Sequence, residues 1–66
     1  MKTKLTKKQL AEQVKILCYN KWETMTRKEG IEKYYEAMIC CEGSEAERYT
    51  NIYCQLIEGA KVAYDS

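Results

Sequence analysis

Apolar residues recur at helical spacing through the first third of the chain. The positions that form this stripe are Leu10, Val14, Leu17, Cys18 and Met25. Steps of three, four and seven residues place such positions on one side of an α-helix. The pattern predicts a first helix over residues 7–24, with Ile16 and Tyr19 away from the stripe and Trp22 at its edge.

Two further segments have the same periodicity. The second carries Ile31, Tyr34, Tyr35, Met38 and Ile39, and the third carries Ala46, Tyr49, Tyr53, Leu56, Ala60 and Ala63. These repeats predict helices over residues 27–41 and 45–63. Gly59 lies inside the third helix, where glycine costs about 1 kcal/mol relative to alanine.

A capping-box sequence precedes each predicted helix. In this motif Ser or Thr is followed three residues later by Glu or Gln, and each side chain accepts a hydrogen bond from a free backbone N–H. The three pairs are Thr6 with Gln9, Thr26 with Glu29, and Ser44 with Glu47. Gly43 follows the second segment at the position where a left-handed residue often ends a helix.

The three amphipathic segments predict an all-α single domain over residues 1–66, arranged as a small three-helix bundle. An alternative arises because residues 22–27 contain neither Gly nor Pro. The first two helices could then continue as one rod, and the chain would form a long helical hairpin. Such a hairpin leaves apolar surface uncovered and would have to dimerise.

Charge is distributed unevenly along the chain, although the net charge is only +1. Residues 1–28 contain eight basic and two acidic side chains, whereas residues 29–66 contain three basic and eight acidic ones. Such lysine density can bind phosphate backbones, and an aromatic ring can stack on a base. The candidate nucleic-acid-binding residues are Lys4, Lys7, Lys8 and Lys15. A solvated lysine face is the alternative interpretation.

The composition argues against an enzyme. The chain has no histidine, the commonest acid–base group and metal ligand in proteins. Its four cysteines form no C-x₂₋₄-C knuckle, so we expect reduced thiols and no metal or other cofactor. Glu29, Glu32 and Glu36 share one helix face, which we interpret as the solvated side.

The aromatic residues favour a binding surface. Six tyrosines and one tryptophan are many for 66 residues, and both types are enriched at binding hot spots. The candidate partner-binding residues are Ile16, Tyr19, Trp22, Ile52 and Tyr64. We therefore expect a non-enzymatic helical interaction or regulatory module that docks a protein partner or a second copy of itself. A DNA- or RNA-binding accessory protein is the alternative.

The remaining expectations concern location and relatives. No run of apolar residues approaches the length of a membrane span and no signal-peptide pattern follows the N-terminus, so the sequence predicts a cytoplasmic protein without a membrane or small-molecule partner. In its Lys-, Glu-, Tyr- and Cys-rich composition the chain resembles small accessory proteins carried by phages and conjugative elements of Gram-positive bacteria. This resemblance rests on no motif and assigns no residue a role.

Overall fold

The protein folds as a three-stranded sheet with helices packed on one side. A computed structural model describes residues 5–65. The elements, in chain order, are α1 (Lys7–Ala11), β1 (Gln13–Cys18), β2 (Lys21–Thr26), α2 (Arg27–Cys40), α3 (Ser44–Ile57) and β3 (Val62–Tyr64). β1 pairs antiparallel with β2 and parallel with β3, so the strand order is β2-β1-β3. The antiparallel pair α2 and α3 forms the second layer.

The prediction of an all-α helical bundle is wrong, and the helical-hairpin alternative fails with it. Most of the predicted helix over residues 7–24 belongs to the β1–β2 hairpin, which spans residues 13–26. Val14 and Cys18 are four residues apart, a spacing that fits both a helix face and a strand face. Ile16 distinguishes the two, because it is fully buried between them and completes a period of two.

The sequence pattern did not predict the hairpin, because its turn contains no glycine. Tyr19 and Asn20 connect the paired residues Cys18 and Lys21, and both have positive φ, 53° and 64° respectively. Two-residue turns of this kind fit the twist of the flanking strands, but they favour Asn and Gly at the central positions. Tyrosine is rare at positive φ, so the sequence lacked the usual signal of a hairpin.

Two of the predicted caps form. Thr6 and Gln9 make a complete capping box, with the Gln9 amide donating to Thr6 Oγ1 at 3.1 Å, but it opens a helix of only five residues. Thr26 caps α2 by accepting from the Glu29 amide at 3.2 Å. Because Thr26 also ends β2, the strand and the helix meet without a loop.

The third predicted helix differs at both ends. Gly43 is the N-cap of α3, with φ 72°, and does not cap the preceding helix. The helix ends at Ile57 because Gly59, with φ 100°, turns the chain. Residues beyond this turn then pair with β1, so the predicted end at residue 63 lies inside β3.

The core lies between the sheet and the helix pair. Its buried members are Val14, Ile16, Tyr34, Ile52, Leu56 and Ala63. Gly30 lets α2 approach closely, since a Cβ there would lie 2.9 Å from Leu56 Cδ1 and 3.3 Å from Ile16 Cδ1. At Gly30, near the start of α2, side chains from the sheet and from α3 therefore meet in direct contact with the α2 backbone.

Arg27 is a buried cation at the junction of the three helices. Its side chain is 1% exposed. Nε donates to the Gln9 carbonyl at 3.1 Å, Nη1 to the Leu56 and Ala60 carbonyls at 3.1 and 2.6 Å, and Nη2 to Glu12 Oε1 at 2.9 Å. Leu56 belongs to the last turn of α3, whose carbonyls lack helical partners. One guanidinium thus satisfies the ends of α1 and α3 from the start of α2.

Replacing Arg27 should therefore remove most of the protein's stability. In Arg27→Ala the Ala60 carbonyl loses its donor and Glu12 loses its partner, while the Gln9 and Leu56 carbonyls each keep one backbone donor. The loss should be about 3 kcal/mol. A core of this size supplies only about 3–5 kcal/mol of net stability. About 0–2 kcal/mol should therefore remain, and the urea midpoint should fall to less than half of the wild-type value.

The exposed neighbour Lys28 provides the control for this variant. Lys28→Ala should change the free energy of unfolding by less than about 0.5 kcal/mol. Urea denaturation of the two variants measures the difference. An Arg27→Ala protein as stable as Lys28→Ala would contradict the role assigned to the guanidinium.

Candidate interaction surface

The side of the sheet that faces away from the helices carries apolar side chains. Alternation along each strand places two rows there, Trp22–Leu17–Tyr64 and Thr24–Lys15–Val62, each crossing all three strands. We call these six residues the open face. Neither row contains a carboxylate. The open face is therefore mostly apolar and carries one positive charge.

Aromatic rings lie at both ends of the first row. Trp22 is 56% exposed and Tyr64 is 45% exposed, although each is opposite Leu17 across a strand pair. Their ring centroids are 6.0 Å apart with an interplanar angle of 71°, the edge-to-face arrangement favoured by aromatic quadrupoles. The two rings thus form one surface across the sheet.

Gln55 holds Tyr64 in this position. The Gln55 side chain, on α3, donates to the Tyr64 carbonyl at 2.9 Å and accepts from the Tyr64 amide at 3.0 Å. Both outward backbone groups of Tyr64 are satisfied in this way. The helical layer therefore fixes one aromatic residue of the open face and covers the edge of its strand.

A polar cluster at the hairpin turn holds the other end of the sheet. The Asp65 carboxylate accepts from the Tyr19 amide at 2.9 Å and from Arg48 Nη1 at 3.0 Å. The Arg48 guanidinium lies 4.9 Å from the centroid of the Tyr19 ring, and the Tyr19 hydroxyl donates to Glu45 at 3.2 Å. These groups satisfy one another, so the cluster stabilises the positive-φ turn and the end of β3.

The cluster shifts the acidity of its members. The hydrogen bond from the Tyr19 amide, together with Arg48, lowers the pKa of Asp65 below its ordinary value of 3.8. Partial burial of the ring and the hydrogen bond to Glu45 raise the pKa of Tyr19 to about 12. At neutral pH the carboxylate is therefore charged and the phenol neutral, as their hydrogen bonds require.

The described residues offer little bond-making chemistry. All four cysteines are free, and burial raises the pKa of the Cys18 thiol, which leaves it protonated and weakly nucleophilic at neutral pH. Within residues 5–65, no group of three His, Cys, Asp or Glu side chains is placed to hold a metal ion.

The structure brings together two of the five candidate partner-binding residues. Trp22 and Tyr64 share the open face, whereas Tyr19 lies in the polar cluster. Ile16 and Ile52 lie in the core with 0% exposure, so neither contributes to the surface. The core face of β1 includes Ile16, although it lies away from the predicted helical stripe, and the core face of α3 includes Ile52.

Two apolar residues of the open face, Leu17 and Val62, are not among the five candidate partner-binding residues. Leu17 was assigned to the core stripe of a helix that does not exist. Val62 precedes Ala63 and Tyr64 in a three-residue strand too short to show a period of two. The alternation of Lys15, Ile16 and Leu17 was the available signal, and recognising β1 would have exposed it.

The candidate nucleic-acid-binding lysines are separated. Lys15 lies on the open face, opposite Thr24 and Val62. Lys7 and Lys8 are exposed on α1. Lys4 lies outside the described residues.

Comparison with known proteins gives no assignment. No protein-family model matches the chain, and neither a curated protein nor a solved structure is significantly similar to it. Every helix within residues 5–65 is too short or too polar to cross a lipid bilayer. Function is therefore inferred from the open face alone.

Asp65 should make the stability of the fold depend on pH. A carboxyl whose pKa is lower in the folded state stabilises the protein above its unfolded pKa. That contribution is lost as the pH falls through 3.8 towards the lower folded value. Asp65→Asn should therefore be less stable than the wild type at pH 7, and the difference should vanish in acid.

Urea denaturation between pH 7 and pH 2.5 measures this dependence. Glu36→Gln is the control, because it removes one exposed carboxylate from α2, away from the cluster. A stability difference between Asp65→Asn and wild type that stays constant over this range would show that the charge of Asp65 does not stabilise the fold.

Proposed function

We propose that this protein is a non-enzymatic interaction module that docks a protein partner through its open face. The observation that carries the proposal is the exposure of Trp22 beside Tyr64 on a rigid sheet. Tryptophan and tyrosine are the residues most enriched at the energetic centres of protein interfaces. Three paired strands hold these rings in place, so binding requires little ordering of the surface.

The size of the domain strengthens this argument. Complete burial of a large apolar side chain is worth about 1.5–3 kcal/mol. The described part of this 66-residue chain has six buried hydrophobic residues, so its free energy of unfolding should be small. Trp22 nevertheless lies on the side of the sheet that the helices do not cover. A partner that covers this side supplies the missing burial.

The chemistry of the chain fits binding better than catalysis. It has no histidine, and its half-buried thiol at Cys18 has a raised pKa and is protonated at neutral pH. We place the module in the cytosol, where a reducing environment keeps cysteines free as they are here. No cofactor or small-molecule substrate enters the proposal.

One observation favours a second candidate, the binding of single-stranded nucleic acid. Lys15 lies on the open face with Trp22 and Tyr64, and the face has no carboxylate to repel phosphate. Bases stack on exposed aromatic rings on such sheets. However, the two rings here meet edge to face, and the net charge of +1 is far from the basic profile of nucleic-acid modules.

Selection of peptide ligands against the purified domain tests the docking proposal. Ligands from a displayed random library should lose at least tenfold in affinity on Trp22→Ala, because that substitution removes the largest side chain of the open face. Ile39→Ala is the matched control, since Ile39 is 62% exposed on α2 and lies outside the open face. Selected ligands that bind Trp22→Ala as well as wild type would contradict the proposal.

Trp22 is the only tryptophan in the chain, so its fluorescence distinguishes the two candidates. Single-stranded DNA should cause no saturable quenching at about 50 mM salt, where attraction to phosphate is strong. Quenching that weakens steeply by about 200 mM salt, and that falls on Lys15→Gln, would instead establish the nucleic-acid function.

A further inference from the structure

The outer edge of β2 has unpaired backbone groups. The Lys15 amide donates to Lys61 and the Leu17 carbonyl accepts from Asp65, so both residues direct their backbone groups towards β3. Their partners across the antiparallel pair are Thr24 and Trp22. In such a pair these two residues turn their N–H and C=O groups away from β1. They therefore face outward along the free edge.

The two edge strands of the sheet differ in the hydrogen bonds that their outward backbone groups make. On β3, the Gln55 side chain satisfies both the N–H and the C=O of Tyr64. On β2, no hydrogen bond from residues 5–65 reaches the outward backbone groups of Trp22 or Thr24. On β3 only Val62, beside the hydrogen-bonded Tyr64, keeps outward backbone groups without a partner from residues 5–65, so the edge of β2 is the longer one available for a further strand.

An acidic groove follows this edge. It has a volume of about 500 Å³ and is lined by Met25, Glu29, Glu32, Lys33 and Glu36. Lys33 pairs with Glu23 at 3.1 Å, whereas no ion pair within the described part of the chain involves the other three carboxylates. One turn of α2 separates each of them from the next. The groove therefore offers three negative charges along the helix side of β2.

We propose that an extended segment of a partner protein, with basic and apolar residues in alternation, adds to β2 as a fourth strand. This inference rests on the proposed docking function and specifies the partner. Backbone hydrogen bonds to Trp22 and Thr24 provide the pairing. The basic side chains lie over the groove near Glu29, Glu32 and Glu36. The apolar side chains extend the open face beside Trp22.

A second copy of the chain is a poor occupant of this edge. Pairing of two β2 strands with their helices on the same side brings the two acidic flanks of α2 together across the joint. Like charges that face each other across a strand pair are destabilising. A basic strand meets the same flank with opposite charge, and charge complementarity therefore selects the heterologous partner.

An eight-residue peptide that alternates valine and lysine serves as the probe. It should shift the fluorescence of Trp22 saturably, and its affinity should fall at least tenfold between about 50 and 200 mM salt. A peptide of the same composition with four valines followed by four lysines is the control, because it cannot direct one residue type to each side. We expect the control to bind at least tenfold more weakly.

Charge variants of the protein test the groove. Combining Glu29→Gln, Glu32→Gln and Glu36→Gln should lower the affinity for the alternating peptide at least tenfold, since three charge pairs are lost. The matched control combines Glu42→Gln, Glu47→Gln and Glu58→Gln, three exposed carboxylates outside the groove. This control changes the net charge equally and should alter the affinity by less than threefold.

Backbone pairing is tested on both molecules. Thr24→Pro removes an outward N–H that β1 does not use, so the fold should remain while peptide binding is lost. Where that variant fails to fold, N-methylation of alternate residues in the peptide removes the same hydrogen bonds and leaves the protein unchanged. Amide signals of Trp22 and Thr24 should shift on binding in NMR spectra, and those of β3 should not.

Several results would overturn the inference. They are equal binding of the alternating and block peptides, equal loss in the two triple variants, or binding that survives N-methylation in both alternate registers. Library ligands that require Trp22 but compete with none of these peptides would overturn it while leaving the docking function intact. Loss of the Trp22 dependence itself would remove both.

Discussion

The buried guanidinium of Arg27 is the interaction on which the rest of the structure depends. It joins the end of α1, the end of α3 and the side chain of Glu12 from the first turn of α2. An arginine can do this because its planar fork directs several donors at once and stays charged when buried. The core beside it is small, so the hydrogen bonds of this one side chain contribute a large share of the free energy that holds α1, α2 and α3 together.

The exposed surfaces follow from this arrangement. Two helices cover one side of three strands, and no element between residues 5 and 65 packs on the other side. Trp22 and Tyr64 therefore remain about half exposed. The pairing of β2 and β3 with β1 keeps their ring centroids 6.0 Å apart. The same topology makes β2 and β3 the two edges of the sheet. The Gln55 side chain hydrogen-bonds to Tyr64 at the β3 edge. The acidic flank of α2 lies beside the β2 edge. The open face and the free edge meet at Trp22.

The sequence predicted some local features correctly and misassigned the elements that carry the surface. Capping sequences located Thr6 and Thr26, because a cap depends on residues three positions apart. Periodicity also identified the amphipathic helices that became α2 and most of α3. It failed at β1, where Val14 and Cys18 satisfy helix and strand alike, and at the turn, where Tyr19 takes a backbone conformation that tyrosine rarely adopts. The aromatic candidates Trp22 and Tyr64 were selected by residue type, without knowledge of the face that unites them.

The sequence by itself determined the caps at Thr6 and Thr26, the apolar periodicity of two helices, the charge asymmetry and the absence of histidine, since these depend on residue types and on neighbours along the chain. Tertiary structure alone decided that residues 13–26 are strands, that Ile16 and Ile52 are buried, and that Trp22 lies beside Tyr64. The physical reason is that a strand is stabilised by partners distant in the chain. Asp65 fixes the turn at Tyr19 across 46 positions, and β3 pairs with β1 only after two helices have intervened.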